Sequence, residues 1–279
     1  MTETTTELPL TVITPRSGWL GVSRRELWAY RELLYFLVWR DLKVRYKQTV
    51  LGIGWAVLQP IFLMAVFTLF FGTLAGIQTT GVPYPVFAFA ALLPWTLFAR
   101  GLTDASTSLS ANRNLITKVY FPRILLPAAS VLAAVVDFLV AFVVLLVLMT
   151  YYGIVPTLAV AALPLFVGLA IVASMGIGFW FSALDAKYRD VKYTLPFLTQ
   201  FWLFVTPVVY PITLVPDAWR WLYALNPMVG VVEGFRWALL GQSFTIDSFA
   251  LVSVAVAVLL FLGGIAYFGR SERSLADVV

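Results

Sequence analysis

The sequence predicts an all-α membrane protein with six transmembrane helices per chain. First, 61 % of its 279 residues are hydrophobic and only 12 % are charged, about half the charged fraction of a typical soluble domain. Second, the apolar residues occur in blocks of about 20, the length of a helix that crosses a bilayer. Third, if both termini lie in the cytoplasm, every Lys and Arg except Arg220 and Arg236 falls on the cytoplasmic side, as the positive-inside rule requires.

The chain before the first span divides into a tail and a helix. Residues 1–27 begin polar and Thr-rich and lack the apolar core of a signal peptide, so we interpret them as a mobile cytoplasmic tail. Residues 28–279 form a single transmembrane domain. Its first helix is predicted to be amphipathic and to lie in the membrane interface, with a short buried helix at 33–39 as the alternative. The stripes that predict it are Tyr35, Trp39, Leu42 and Tyr46, beside Arg40, Lys43 and Lys47.

Six apolar segments follow, each within or above the range of about 17–25 residues that crosses a bilayer. The third and fourth are long enough to tilt or to project into the cytoplasm. Residues 208–242 are too long for a tight turn and too apolar for a solvated loop, and three prolines interrupt them. They predict short re-entrant helices in the last external loop, with an interfacial aromatic belt as the alternative. The predicted spans are residues 51–73, 85–102, 124–150, 156–184, 195–211 and 248–268.

Composition excludes most enzyme classes. The chain contains no Cys and no His, which excludes thiolate nucleophiles, imidazole acid–base chemistry and Cys/His metal sites. It lacks the phosphate loop G-x-x-x-x-G-K-[ST], so we expect no ATP hydrolysis and no cofactor or metal in this chain. The cytoplasmic loops explain the net charge of +5, which therefore does not indicate nucleic-acid binding. The clustered Asp and Glu that a membrane-embedded glycosyltransferase would need on the cytoplasmic side are missing.

Four motifs, in a fixed order, carry a resemblance to a known family. They are residues 39–55 (WRDLKVRYKQTVLGIGW) with Gln59-Pro60, residues 112–123 (NRNLITKVYFPR) with Leu126-Pro127, residues 188–191 (YRDV) with Phe201-Trp202 and 206–211 (TPVVYP), and Asn226-Pro227 with Arg236. Over about residues 28–268, the sequence resembles ABC-2 type permease subunits of the transporters that export O-antigen, capsule and wall teichoic acid.

The resemblance implies a transport subunit rather than an enzyme. It implies export of a lipid-linked polysaccharide or a teichoic-acid-like polymer across the bacterial cytoplasmic (inner) membrane. It also implies a homodimer with the conduit at its centre, and two copies of a separate ATPase subunit that bind ATP and Mg. Membrane lipids are the other expected partners. An exporter of a small lipid or drug from the same superfamily is an alternative.

The resemblance further implies a short cytoplasmic helix between the second and third spans that contacts the ATPase. Asn112 or Asn114 is expected to cap this helix, and Phe121-Pro122 to end it. The alternative is that the basic residues only mark the cytoplasmic face, and that the Arg-Asp pairs are local ion pairs. The predicted coupling residues are Asn112, Asn114, Leu115, Lys118, Tyr120, Phe121, Arg123, Arg189, Asp190, Arg40 and Asp41.

Aromatic side chains near the span ends are candidates for a sugar conduit. The apolar face of a sugar ring packs on an aromatic ring without requiring one hydroxyl pattern, and Tyr and Trp add a polar edge. Arg236 is a candidate for phosphate or headgroup contact, although pairing with Glu233, three residues earlier, is an equal alternative. The predicted conduit residues are Trp55, Trp95, Phe98, Phe201, Trp202, Tyr210 and Arg236.

Asp137 lies in the middle of the third span with no charged neighbour in the sequence. A carboxylate at the bilayer centre costs about 2.5–3.5 kcal/mol on insertion scales, so it must be protonated, paired or hydrated. A proton-coupled carrier that uses Asp137 is therefore a second functional hypothesis. An interhelical hydrogen bond from a protonated acid is the preferred interpretation, because a lone acid is a poor proton relay and the sequence has no internal repeat of the kind such carriers show.

Overall fold

A computed structural model describes residues 24–47, 49, 52, 54–79, 81–188, 190–241 and 248–278, except the side chains of 24–26, 248 and 273–278. Every regular element in these ranges is helical, which confirms the all-α fold. Most of the predicted tail lies outside them. The helices are α1 (Arg24–Ala29), α2 (Arg31–Lys47), α3 (Gly54–Phe67), α4 (Tyr84–Ala111), α5 (Arg113–Lys118), α6 (Leu125–Tyr151), α7 (Leu163–Lys187), α8 (Val191–Val205), α9 (Asp217–Ala224), α10 (Pro227–Leu240) and α11 (Ser248–Val278).

Five helical stretches of the described chain are long and apolar enough to cross a membrane. They correspond to the first, second, third, fourth and sixth predicted spans. Helix α3 reaches this length because it continues as a π-helix over Thr68–Leu74, and α7 because the 3₁₀ turn Leu158–Ala162 precedes it. The five stretches are Gly54–Leu74, Tyr84–Ala111, Leu125–Tyr151, Leu158–Lys187 and Phe249–Glu272.

The predicted fifth span is shorter in the structure than in the sequence analysis. Helix α8 has 15 residues, which at about 1.5 Å per residue covers roughly 22 Å of a core of about 30 Å. It ends because Pro207 disfavours the helical conformation at the residue before it, and Thr206 is extended with φ −93° and ψ 137°. Residues 206–210 then form turns. Six spans therefore remain a prediction.

Helix α4 is the centre of the bundle. It packs against α3, α6, α7, α8 and α10, and 78 % of its most apolar window is buried. Helix α3 lies at the periphery, with only 11 % of its window buried, and its exposed side chains include Trp55, Phe62 and Val66. A single chain thus leaves most of α3 uncovered.

Glycine lets α7 and α11 approach closely. A Cβ atom added at Gly264 would lie 2.3 Å from the carbonyl oxygen of Gly176, and one added at Gly176 would lie 2.7 Å from the Cα of Phe261. No side chain fits between backbones at these distances. Small residues at helix contacts serve this purpose in membrane bundles, where association depends on close packing.

Helix α2 packs on the bundle through one face. Leu37 is buried, and Leu33, Leu34 and Val38 pack beside it. The opposite face exposes aromatic rings, and Tyr35 is 72 % exposed. A helix buried over 33–39 therefore does not fit, whereas exposed aromatic rings suit a helix at a membrane interface.

A second hydrophobic cluster lies apart from the main core, at the end of the bundle that carries α5. We call it the α5-end cluster. It joins α2, the segment after α5, and helices α4, α6, α7 and α11. Leu115 and Ile116 of α5 pack against it. Its buried members are Leu37, Leu109, Phe121, Ile124, Leu125, Leu126, Ala129, Phe179, Ala183, Ala186 and Phe268.

The segment between α8 and α11 contains the short helices predicted for it. Helix α10 begins at a capped end, because the side chain of Asn226 accepts a hydrogen bond from the backbone N–H of Met228 at 3.0 Å and Pro227 occupies the first turn. It ends at Gly241, whose φ of +65° is the left-handed conformation that glycine adopts most readily. Most of α10 is buried.

Candidate functional site

Three helices meet at a cluster of charged side chains. From the last turn of α2, Arg45 donates to Oδ2 of Asp137 on α6 at 2.5 Å and to Oδ2 of Asp104 on α4 at 2.6 Å. Arg100 on α4 lies 3.2 Å from the same oxygen of Asp137 and 3.9 Å from Asp104. The hydroxyl of Tyr46 donates to Oδ1 of Asp137. We call these five residues the α2–α4–α6 ion-pair network.

The network gives Asp137 charged neighbours in space that it lacks along the sequence. Its side-chain oxygens lie within bonding distance of two guanidinium groups and a phenol from α2 and α4, which is the interhelical pairing that the sequence left open as one alternative. Its partner Arg45 is 92 residues away in the chain. One signal in the sequence pointed to the site, since Arg100 and Asp104 are spaced i,i+4 on one helix face. No local pattern connected them to Asp137 or Arg45.

The neighbours of Arg45 and Tyr46 fix their protonation states. Burial tends to lower the pKa of Arg45, but Asp104 and Asp137 outweigh it and the pKa is raised. Burial and the hydrogen bond to Asp137 raise the pKa of Tyr46 to about 12. At neutral pH the guanidinium is therefore charged, and the phenol keeps the proton that it donates.

A cavity of about 370 Å³ lies beside the network, between α3, α4 and α6. Its polar lining includes Arg100, Asp104 and Asp137, together with Gln59 of α3. Its apolar lining includes Trp95. Among the described residues, no group of three or more acidic side chains is placed to hold a metal ion.

The predicted conduit aromatics fall into two sets. Trp95, Phe98 and Trp202 form a continuous packed row, with ring centroids 5.5 Å apart for the first pair and 5.1 Å for the second. Trp55 on α3 and Phe201 on α8 are more than half exposed, at 51 % and 61 %. The packed row stabilises the contact between α4 and α8, and the exposed set is available to a partner or a ligand.

Tyr210 and the turn after α8 belong to a hydrogen-bonded segment. The hydroxyl of Tyr210 donates to the carbonyl of Phe204 at 2.9 Å and shares a hydrogen bond with the hydroxyl of Tyr223, also at 2.9 Å. The hydroxyl of Tyr84 donates to the carbonyl of Val209 at 2.6 Å. These bonds hold the turn against α4 and α9.

Arg236 is buried inside the same segment. Its exposed fraction is 1 %, and it pairs with Glu233 at 2.9 Å, which confirms the local pairing considered from the sequence. The guanidinium also donates to the carbonyls of Pro207 and Val208 at 2.6 and 2.7 Å, and it lies 3.6 Å above the ring of Phe87. Its contacts are within the chain, so it is a structural cation at this position.

The predicted coupling helix exists as α5. Asn114, Lys118 and Tyr120 are exposed, whereas Leu115 packs against the α5-end cluster and Phe121 is buried within it. Helix α5 ends at Lys118, before Phe121-Pro122. The side of α5 opposite its exposed residues therefore packs on the α5-end cluster, which holds the helix in place.

Two details of the predicted coupling segment differ from expectation or extend it. Asn112 occupies the N-cap position but does not cap α5; its amide donates to the carbonyl of Ser108, one turn back in α4, at 2.8 Å. The backbone N–H of Arg123 donates to Oε1 of Glu272 on α11 at 3.2 Å. The last helix thus braces the chain after α5, which the sequence motifs did not indicate.

Of the two predicted Arg-Asp pairs, the structure describes both residues of only the first. Arg40 and Asp41 form a local ion pair, with Nη2 of the arginine 2.8 Å from Oδ1 of the aspartate. Asp190 is exposed at the start of α8. Arg189 lies outside the described residues.

The comparisons with known proteins agree with this architecture. The ABC-2 type transporter family model matches residues 32–240, from α2 to α10. An O-antigen export system permease protein, RfbA, of Myxococcus xanthus is 32 % identical over 259 residues, which cover 91 % of this chain and 98 % of the relative. The chain belongs to the ABC-2 type transporter family.

Two further relatives of this ABC-2 type transporter align over most of their length. The O-antigen export system permease protein RfbA of Klebsiella pneumoniae is 26 % identical, covering 89 % of this chain and 95 % of the relative. The polysialic acid transport protein KpsM of Escherichia coli is 27 % identical, covering 85 % and 93 %. Family membership and the apolar helices make the chain an integral membrane protein with a transport role, and the family implies an ABC ATPase partner.

Proposed function

We propose that this chain is the transmembrane subunit of an ATP-binding-cassette exporter that moves a lipid-linked polysaccharide, or a teichoic-acid-like polymer, across the bacterial cytoplasmic membrane. The observation that carries the proposal is similarity over nearly the whole chain to permeases named for O-antigen export and for polysialic acid transport. Those two polymers differ chemically, so the shared sequence fits a common conduit and not one sugar.

The proposed topology has six spans with both termini in the cytoplasm. The segregation of Lys and Arg supports it. In this arrangement α8 crosses the membrane together with the turns at 206–210, and α9 and α10 lie in the outer half of the bilayer. Burial of α10 against α4 and α7 fits this, because non-spanning backbone at membrane depth needs protein around it. The α5 end then faces the cytoplasm.

The proposed assembly is a homodimer with two ATPase subunits, which bind ATP and Mg. Helix α5 offers the ATPase the exposed side chains of Asn114 and Lys118, and the segment after it offers Tyr120, next to the buried side chains of the α5-end cluster. A short helix anchored in this way transmits displacement, because packed side chains resist compression. Arg40, Asp41 and Asp190 are proposed to extend this surface.

The proposed conduit lies between the two protomers. Trp55 on the lightly packed α3 and Phe201 on α8 are the exposed aromatics in the predicted set, and they suit a passing polymer because sugar rings pack on aromatic faces. Trp95, Phe98 and Trp202 support that surface from beneath. The proton-coupled alternative is disfavoured, because Asp137 is held by Arg45, Arg100 and Tyr46.

Deleting the gene and complementing it in trans tests the proposal. We expect the deletion strain to lose surface polysaccharide and to regain it with the intact chain. The chain should also co-purify in mild detergent with the ATPase encoded beside it. Unchanged surface polymer in the deletion strain would contradict polymer export and favour a lipid or drug substrate. Export that persists without an ATPase but stops with a protonophore would favour the proton-coupled carrier.

A further inference from the structure

The ion-pair network is the connection between α2 and the transmembrane bundle that neither the sequence motifs nor the transport role assigns. Arg45 and Tyr46 lie in the last turn of α2, and their side chains bond to Asp104 on α4 and Asp137 on α6. The side chain of Asp137 is 8 % exposed and that of Arg45 17 %. Arg100 and Asp104 are each 35 % exposed, so the three helices are joined at a point that is buried at Asp137 and open at Arg100 and Asp104.

The chemistry of the ion-pair network indicates that it positions α2 relative to α4 and α6. The network contains two guanidinium groups and two carboxylates, so its charges balance. Buried ion pairs are weak sources of stability, because desolvation offsets the attraction between the charges, and hydrophobic side chains of similar size often hold a contact as well. Ion pairs instead require a defined geometry. Here the geometry fixes the end of α2 at one position against α4 and α6.

Packing connects the other part of α2 to the proposed coupling helix. Leu37 of α2 is buried in the α5-end cluster together with Phe121, and Leu115 and Ile116 of α5 pack against the same cluster. A displacement of α5 is therefore passed to α2 through packed side chains, which move together and do not compress. At its far end, α2 is held by the network.

The network also lies at the start of the most lightly packed span. Helix α2 ends at Lys47 and α3 begins at Gly54, after Gly52 with its φ of +51°. The cavity beside the network is lined by α3 residues such as Gln59 and by α4 and α6. The ion-pair network at this point fixes the positions of α4 and α6 relative to α2. Helix α3 is not held by it and can shift.

We propose that the five residues of the ion-pair network are positioning residues that form a rigid connection, which we call the strut. When the partner ATPase displaces the α5 end, the strut makes α4 and α6 move together with α2. The strut transmits the displacement to the walls of the conduit. This inference rests on the proposed function for its biological meaning. The rigid connection itself is a property of the chain, and it is tested without the polymer.

The test measures a distance across the strut. The chain has no cysteine, so W39C and L139C place two spin labels at exposed positions on α2 and α6. Labelled chains are diluted into unlabelled chains and assembled with the ATPase. Electron paramagnetic resonance should give one narrow distance, unchanged by a non-hydrolysable ATP analogue. In the background R45Q/D137N, which removes one charge of each sign, the distance should broaden and change with nucleotide.

Two results would overturn the strut. One is a distance that already changes with nucleotide when the network is intact; the other is a distance that stays narrow and fixed in R45Q/D137N. K43Q is the matched control, because Lys43 is an exposed cation on the same helix, and it should behave as the parent does. These outcomes do not depend on the exported substrate, so they are separate from the deletion test of the proposed function.

Export gives a second readout. In cells that contain equal amounts of assembled complex, D137N should lower surface polymer by about tenfold, within the range of coupling between sites in other proteins, while the purified complex still hydrolyses ATP. D137E should restore most of the export because it keeps the charge. If D137N instead lowers only the amount of complex, with normal export per complex, the network is merely structural and the proposal is wrong.

Discussion

Arg236 illustrates how a single side chain can organise a turn. The guanidinium donates to three carbonyls of the segment after α8, pairs with Glu233, and covers the ring of Phe87. A planar group with five N–H donors is suited to such a site, and a lysine ammonium is not. The sequence suggested the pairing with Glu233, because the two residues are three apart on one helix. The carbonyl partners come from a distant segment and were not predictable.

Replacing Arg236 should destabilise the protein. R236M leaves Glu233 without its cation and three carbonyls without this donor, and breaking one side of a buried pair costs about 3–5 kcal/mol. We expect R236K to recover little of this loss. The E233Q/R236M pair should be less destabilised than R236M alone, because no unpaired carboxylate remains.

Thermal unfolding of the detergent-purified chain measures this effect. R220Q is the matched control, since Arg220 pairs with the exposed Asp217 three residues earlier and exposed pairs contribute about 0–1 kcal/mol. Equal midpoints for R236M and R220Q would show that the buried pair does not stabilise the turn.

At the scale of elements, α5 combines a partly buried side, formed by Leu115 and Ile116, with an exposed side within six residues. Phe121 just after it is buried, so F121A would create a cavity and mix loss of stability with loss of coupling. Lys118 is exposed and carries no such complication. The two residues were predicted as one coupling motif, but Phe121 is buried in the α5-end cluster and Lys118 is exposed, so only Lys118 is accessible to a partner.

K118E should uncouple transport without affecting insertion. Reversing an exposed charge at a docking surface places like charges together or removes an attraction, which costs binding to the ATPase but little folding energy. We expect normal chain levels in membranes, with less co-purified ATPase and less surface polymer. R220E, the same reversal at the other end of the bundle, is the control. Wild-type ATPase recovery with K118E would remove Lys118 from the docking surface.

The whole molecule is a bundle built around α4, with α3 at its periphery and with α8 shorter than the five membrane-spanning stretches. Much of the surface of α3 and α8 is apolar and uncovered in one chain. In a membrane this surface contacts lipid or a second copy. The proposed homodimer accounts for aromatic side chains such as Trp55 and Phe201 on these two helices.

The direction of α8 decides between five and six spans. If α8 crosses the membrane, Tyr193 near its start and Asp217 in α9 lie on opposite sides. Both positions are exposed and the chain has no cysteine, so Y193C and D217C report their side by labelling with a membrane-impermeant maleimide. We expect intact cells to label D217C only, and Y193C to react after permeabilisation. Labelling of both positions, or of neither, in intact cells would contradict a crossing at α8.

Composition and periodicity determined the class of this protein. An apolar block of about 20 residues has few conformations in lipid other than a helix, because its backbone groups must pair within the segment. The long spans, the helix predicted over residues 28–47 (α2 begins at Arg31), the short helices after α8 and the family resemblance could therefore be read from the sequence. Helix ends were less certain. Helix α8 ends at Val205, before the predicted end of the span, because Pro207 disfavours the helical conformation at Thr206 even though the neighbouring residues are apolar.

Tertiary structure alone decided which polar groups meet. Arg45, Asp104 and Asp137 come together from three helices, and Glu272 reaches the chain after α5 from the last helix. Local patterns cover three or four residues along one helix, whereas these contacts depend on how helices far apart in the chain are packed. The sequence thus specified a membrane transporter with charged residues in its spans, and the packing determined that those charges join α2 to the bundle.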